Sequence, residues 1–194
     1  VLTFDKRIIK ENAIEIIQEF DIICDCSDNF ATRYLINDAC LILNKPLIFG
    51  SVQGFEGQVS VFNLHKKSPN LRDLLPESPS KNAVPSCAEY GVVGVSTGLI
   101  GILQVNEIIK IVLQKGEILD GKVLIFDLLN MKMKKLNLKS DEVNKKIKNL
   151  AQFMEFYCED ECSKKNNEIH RINAHDFNCL YKTKSNKAIQ PDQI

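Results

Sequence analysis

The spacing of apolar and polar positions changes several times along the chain, and each change predicts an element. Ala13, Ile14, Ile17 and Phe20 fall on one face if residues 10–20 form a short helix. Residues 21–25, Asp-Ile-Ile-Cys-Asp, are instead a brief apolar run between acids, the pattern of a strand covered on both faces in a parallel sheet. Cys26-Ser-Asp-Asn29 is polar and rich in helix-capping types, and helical periodicity resumes over residues 30–43. A strand-to-helix switch is therefore expected at 26–29.

Residues 46–52 read as the next strand, and 54–63 as a strand with one wetter face around Val59 and Val61. Residues 65–87 hold Pro69, Pro76, Pro79 and Pro85 with little periodicity, which predicts a long functional or mobile loop. The strongest helix signal is 92–114. It is apolar nearly all round and so expected to be central, with Gly116 placed to end it. Residues 122–128 and 131–138 alternate about Leu129-Asn130 and predict a closing antiparallel hairpin. Seven lysines and two acids then fill 132–148, and the apolar signal fades. A domain over 1–138, a linker over 139–166 and a polar tail over 167–194 follow.

Composition narrows the classes of function. With 25 Lys+Arg against 25 Asp+Glu the chain has no net charge to draw it to nucleic acid or an acidic membrane. Its 44% hydrophobic content can build a core. Seven scattered cysteines, an odd number, argue against a disulfide framework and for a reducing, cytoplasmic setting. The longest apolar stretch is interrupted by Asn106, Glu107 and Lys110, which predicts a soluble chain rather than a membrane span.

The site candidate follows from the strand-to-helix switch. Asp28 and Asn29 stand at the carboxyl end of a buried strand and the start of a helix. Ligands of open α/β sheets bind there, because helix N-terminal N–H groups favour anions and a carboxylate can hold magnesium against phosphates. The same position also suits Asp28 as a plain helix N-cap, and spacing does not separate the two.

Four ordered blocks carry a wider resemblance: Asp25-Cys-Ser-Asp-Asn-Phe-Ala-Thr-Arg-Tyr-Leu-Ile-Asn37, Gly57-Gln-Val-Ser-Val-Phe62, Pro85-Ser-Cys-Ala-Glu-Tyr-Gly-Val92 and Gly101-Ile-Leu-Gln-Val-Asn-Glu107. Together they resemble the ThiF/MoeB adenylyltransferases, relatives of the ubiquitin-activating enzymes, over residues 1 to about 138. The resemblance implies a Rossmann-like α/β fold, here its C-terminal portion, with a mostly parallel sheet ending in antiparallel strands. It implies Mg-ATP-dependent adenylation of the C-terminal glycine of a ubiquitin-like sulfur-carrier protein serving molybdopterin, thiamine or tRNA thiolation, and a homodimer to which the 92–114 helix contributes.

Carried over residue by residue, Asp28 is the aspartate that contacts ATP and its metal, with Asn29 beside it. Arg33, one turn into the helix, supports the acidic loop or approaches phosphate, unless it buttresses the strand end. Cys87 matches the cysteine that in some relatives forms a thioester or acyl disulfide with the carrier; a free structural thiol is the alternative. Cys24, Cys26 and Cys40 read as packing residues.

Two departures accompany the resemblance. The family commonly holds a structural zinc on two Cys-x-x-Cys pairs, and the first pair aligns with Asn70 and Asp73, poor replacements for thiolates. Cys158, Cys162, His170 and His175 are too closely spaced for a finger, so zinc is not expected. The Gly-rich nucleotide loop and its phosphate-gripping partners have no counterpart in the 194 residues, which predicts an N-terminally truncated piece that binds ATP poorly. Residues 167–177 resemble the opening of a rhodanese domain. The competing reading is a non-catalytic module docking a carrier tail through Gln58 to Phe62 and the loop before Cys87.

Overall fold

The computed structural model describes residues 1–78 and 91–157. By its contacts the chain divides into Val1–Cys158 and Glu159–Ile194, and every described residue belongs to the first unit. That unit is a five-stranded sheet in simple sequence order with helices on both faces.

The first expected switch is present. Helix α1 (Lys10–Gln18) leads to β1 (Ile23–Asp25), then α2 (Phe30–Leu43), then β2 (Leu47–Gln53), which pairs parallel to β1. The sheet continues antiparallel through β3 (Glu56–Phe62), β4 (Lys122–Asp127) and β5 (Lys132–Asn137). The α/β class and the closing hairpin stand, but the balance of strand directions does not. One pairing is parallel and three are antiparallel among the described residues, because β2 and β3 are joined by a tight connection that permits only the antiparallel arrangement.

Alternation along the strands divides the core. Leu47, Phe49 and Phe62 point to the face covered by α1 and α2, where Ala13, Ile17, Leu35 and Ala39 are buried. Ile48, Val59 and Val61 point to the opposite face, against helix α4 (Gly94–Leu113). The short helix α3 (Leu71–Leu74) packs its Leu71 into the first of these clusters, and Cys87 lies outside the described residues.

Helix α4 reverses its expected role. Its buried positions are Ser96, Ile100, Gln104 and Glu107, three of them polar, while Val95, Ile102, Val105, Ile109 and Val112 are between 49% and 74% exposed. Each buried polar group has a backbone partner: Ser96 Oγ donates to Gly54 O at 3.0 Å, and Glu107 Oε2 accepts Leu119 N at 3.0 Å. The helix sits close to the sheet because Gly50 and Gly57 leave room for it. A methyl on Gly57 would lie 2.4 Å from Ile100 Cδ1, and one on Gly50 would lie 2.4 Å from the Gln104 amide carbon. By length and composition α4 is also apolar enough to cross a membrane, so its Glu107 and Lys110 do not exclude one as the sequence reading supposed.

The packed unit also extends past the expected boundary at 138. Ile147, Phe153 and Tyr157, the last two from α5 (Leu150–Phe156) and its C-cap, are buried against α1 and α2. Tyr157 Oη donates to Asp38 Oδ2 at 2.6 Å, and the same carboxylate takes a two-pronged Arg72 guanidinium, Nε to Oδ1 at 3.1 Å and Nη2 to Oδ2 at 2.6 Å. Arg72 lies over the Tyr34 ring at 4.7 Å. The stretch expected as linker is thus part of the core up to Tyr157, while the remainder of 139–166 and the whole of 167–194 lie outside the described residues, as do Cys158, Cys162, His170 and His175.

Candidate active site at the end of strand β1

The carboxyl end of β1 is built around a side chain that spacing alone did not single out. Asp25 is 1% exposed and its Oδ1 accepts both the Ser27 backbone N–H at 2.9 Å and the Ser27 hydroxyl at 2.7 Å. The two bonds fold Cys26–Asp28 back over the strand end as an Asx turn. Asp25 Oδ2 accepts Arg33 Nη1 at 3.1 Å. Arg33 also donates to Gly50 O at 2.7 Å and Ser27 O at 2.5 Å, with its guanidinium 5.1 Å from the Phe49 ring centroid. Its hydrogen-bonding capacity is largely spent on the scaffold, so the geometry places Arg33 as a buttress joining β1, β2 and the turn.

Asn29, not Asp28, caps α2. Its Oδ1 accepts Thr32 N at 2.9 Å, and its backbone is extended as an N-cap requires. Asp28 is exposed, and among the described residues its carboxylate accepts one bond, from Asn29 Nδ2 at 3.3 Å. The N-cap alternative for Asp28 is thereby removed.

A cavity of about 210 Å³ opens beside this turn, between it and α4, lined by Asp28, Arg33, Gly50, Thr97, Gly101 and Gln104 among others. Gln104 crosses from α4 to close its floor, donating through Nε2 to Asp25 O at 2.9 Å and Ile48 O at 3.4 Å, while Cys26 Sγ donates to its Oε1 at 3.7 Å. Two sequence-distant partners, Gly50 and Gln104, therefore belong to the site. Neither carried a local signal beyond its place in an apolar run.

Cysteine positions differ from expectation as well. Cys40 is fully buried, but Cys24 and Cys26 are exposed, with their sulfurs 3.9 Å apart. Although Cys24 reaches solvent, desolvation at the strand end, then the neighbouring Cys26 and Asp25, pushes its thiol up to about 12. It is protonated at neutral pH and a poor nucleophile. Gln58 to Phe62, the segment offered for docking a carrier tail, is most of the central strand β3 and is hydrogen-bonded on both edges, with Val59, Ser60, Val61 and Phe62 all at 0% exposure. The strand part of that docking surface is already paired and buried, and the loop before Cys87 lies outside the described residues.

The residues present suit a magnesium–nucleotide complex. Magnesium keeps several waters and usually takes one or two protein carboxylates besides phosphate oxygens. The exposed, nearly unpartnered carboxylate of Asp28 on the cavity wall meets that need. The cavity is smaller than the roughly 300–1,000 Å³ of sites that enclose a whole small ligand.

Residues 1–147 match the ThiF family model. The chain is 44% identical over 143 residues to a sulfur carrier protein adenylyltransferase of Thermus thermophilus, covering 72% of this chain and 53% of that protein. It is 34% identical over 197 residues to the adenylyltransferase and sulfurtransferase MOCS3 of Drosophila virilis, covering 95% of this chain and 44% of that protein. A probable adenylyltransferase/sulfurtransferase MoeZ of Mycobacterium tuberculosis is 39% identical over 155 residues, 77% of this chain and 39% of the relative. The chain spans about half the length, or less, of these relatives. The crystal structure of E. coli MccB with MccA-N7isoASN shares the fold at a TM-score of 0.54 and 12% identity, over 73% of this chain and 44% of that one. On the match across residues 1–147, which contain the whole strand-end site, the chain belongs to the ThiF family.

Proposed function

We propose that this chain supplies the metal-binding strand end of an enzyme that uses Mg-ATP to adenylate the C-terminal glycine of a ubiquitin-like sulfur-carrier protein. The observation that carries the reading is the division of labour at 28–29: Asn29 caps the helix, and Asp28 is left facing the cavity. In the reaction the carrier carboxylate oxygen forms a bond to the α-phosphorus, and the bond from that phosphorus to pyrophosphate breaks. Bound magnesium supplies positive charge against the phosphates as charge shifts to the leaving group. Asp28 orients that ion. Asp25 and Arg33 hold the turn in place, and Gln104 fixes α4 against it. Positioning does most of the catalytic work, since the nucleophile belongs to the substrate.

The relatives named above support the carrier as partner, and the protein is proposed to work in the cytoplasm without nucleic acid or membrane. Cys87, outside the described residues, keeps its proposed role as an acceptor of the carrier acyl group. The outward stripe Val95, Ile102, Val105, Ile109 and Val112 on α4 supports a homodimer. The small cavity favours a second reading for the 194 residues alone, binding without turnover.

ATP–pyrophosphate exchange with a sulfur carrier tests both. In a form that includes the nucleotide loop, Asp28→Ala is expected to lower exchange at least a hundredfold, about 2.7 kcal/mol of transition-state stabilisation. Unaltered turnover removes Asp28 from the site. Exchange by the 194-residue chain alone overturns the second reading.

A further inference from the structure

The site's opposite flank holds a cluster that the function above does not use. Asn70 is 0% exposed, and both its backbone N–H and its Nδ2 donate to Asp73 Oδ2, at 2.8 and 3.0 Å. Asp73 Oδ1 is taken by a segment 68 residues further on: Asp141 N donates to it at 2.8 Å and Asn144 Nδ2 at 3.0 Å. Asp141 Oδ1 in turn accepts Val143 N at 3.0 Å, and Asn70 Oδ1 accepts Arg72 N at 2.8 Å. Two Asx-x-x-Asx turns of opposite order, Asn70…Asp73 and Asp141…Asn144, thus meet on one carboxylate.

We propose that these four side chains form a metal-free clasp, which does by hydrogen bonding what the resemblance assigned to a zinc ion held between two Cys-x-x-Cys pairs. The spacing of a two-pair metal knuckle is kept, and its donors are exchanged. Four N–H groups fill the acceptor positions of Asp73, two on each oxygen, so a cation placed there would face N–H protons rather than lone pairs. The remaining donors, the Asn amide oxygens and the Asp141 carboxylate, are hard oxygens in place of four thiolates, and Asn70 Oδ1 and Asp141 Oδ1 already accept backbone N–H groups.

The clasp has a structural consequence. It closes a loop of about 70 residues, and such closure restricts the unfolded chain much as a cross-link does. It also brings 145–157 back to the core, where Tyr157 reaches Asp38, the partner of Arg72, whose own backbone N–H is held by Asn70. The approach of the two segments that a metal would have fixed is fixed by two backbone and two side-chain amide N–H groups.

The experiment uses the full 194-residue chain with Cys158 and Cys162 changed to Ser, so that any zinc must come from elsewhere. The expected result is a melting temperature unchanged by a strong chelator or by added zinc. A fall with chelator that zinc restores overturns the proposal. In the same background, Asn70→Cys, Asp73→Cys, Asp141→Cys and Asn144→Cys together are expected to create a site for one tetrahedral metal, read from the absorption of bound cobalt(II). If that variant does not fold, a double-mutant cycle of Asp73→Ala and Asn144→Ala by chemical denaturation decides. Strongly non-additive losses support the clasp, and simple additivity overturns it.

Discussion

Two buried arginine–aspartate pairs lie on the same helix layer and do different work. Arg72 meets Asp38 with two prongs, Tyr157 adds a third bond to the same carboxylate, and aromatic rings cover the guanidinium. Every partner is a side chain. Arg33 meets Asp25 with one prong and gives its other bonds to the carbonyls of Gly50 and Ser27, while Asp25 turns its second oxygen to the backbone of Ser27. The first pair locks elements together. The second shapes a turn, and at the end of that turn stands Asp28. A charge pair built from side chains holds tertiary structure, whereas one wired into the main chain fixes the path of a functional loop.

Breaking the first pair is expected to be the most damaging change. Asp38→Ala leaves Arg72 and the Tyr157 hydroxyl buried without their partner, a loss of roughly 3–5 kcal/mol in urea unfolding. Asp25→Ala should cost less, about 2–3 kcal/mol, because Arg33 keeps its two carbonyl acceptors, but it should also abolish nucleotide binding in a longer form. Equal losses from the two substitutions would dissolve the comparison.

Tyr157→Phe sharpens it further, with about 1.5–3 kcal/mol expected for a hydrogen bond to a charged group. It carries a pH signature. Burial, then Asp38, pushes the Tyr157 hydroxyl above its ordinary range, and burial pushes Tyr34 up to about 12. A raised folded-state value means that stability is complete below about pH 10, the ordinary tyrosine value, and is lost as pH climbs above it. Alkaline denaturation should therefore be shallower in Tyr157→Phe than in the parent chain. The smallest effect on stability belongs to Asp28→Ala. Its side chain is exposed with one long hydrogen bond, so a change within about 0.5 kcal/mol is expected in thermal melts, against the large loss of exchange activity.

Much of this was legible in the chain, for identifiable reasons. Helix α2 and the β4–β5 hairpin declared themselves because their apolar periods are regular and local. Helix α4 was expected to be buried because it is apolar nearly all round, which gives no face to read, and only the backbone groups that Ser96, Gln104 and Glu107 meet explain why these turn inward. Residues 139–157 looked like linker because Lys145, Lys146 and Lys148 flank Ile147 and the helix that carries Phe153 is only seven residues long. At the site, Asp28 stood out by its place at the strand-to-helix switch, with the resemblance favouring a metal role over capping, while Asp25, Gly50 and Gln104 were not singled out as site residues. A side chain reaching a carbonyl 17 residues away, or one 79 residues away, leaves no mark in local spacing.

The separation of capping by Asn29 from the metal binding proposed for Asp28 has a practical side. Because Asn29 holds the helix start and Asp28 does not, the two can be adjusted independently. Asn29→Ser or Asn29→Asp should keep the cap with little change in stability. The same substitutions alter the one side chain that steadies Asp28, Asn29→Asp by setting a second negative charge beside it. Under the proposed function, position 29 is thus a tuning screw for how tightly the neighbouring carboxylate would grip an ion, one that can be turned without unwinding the helix behind it.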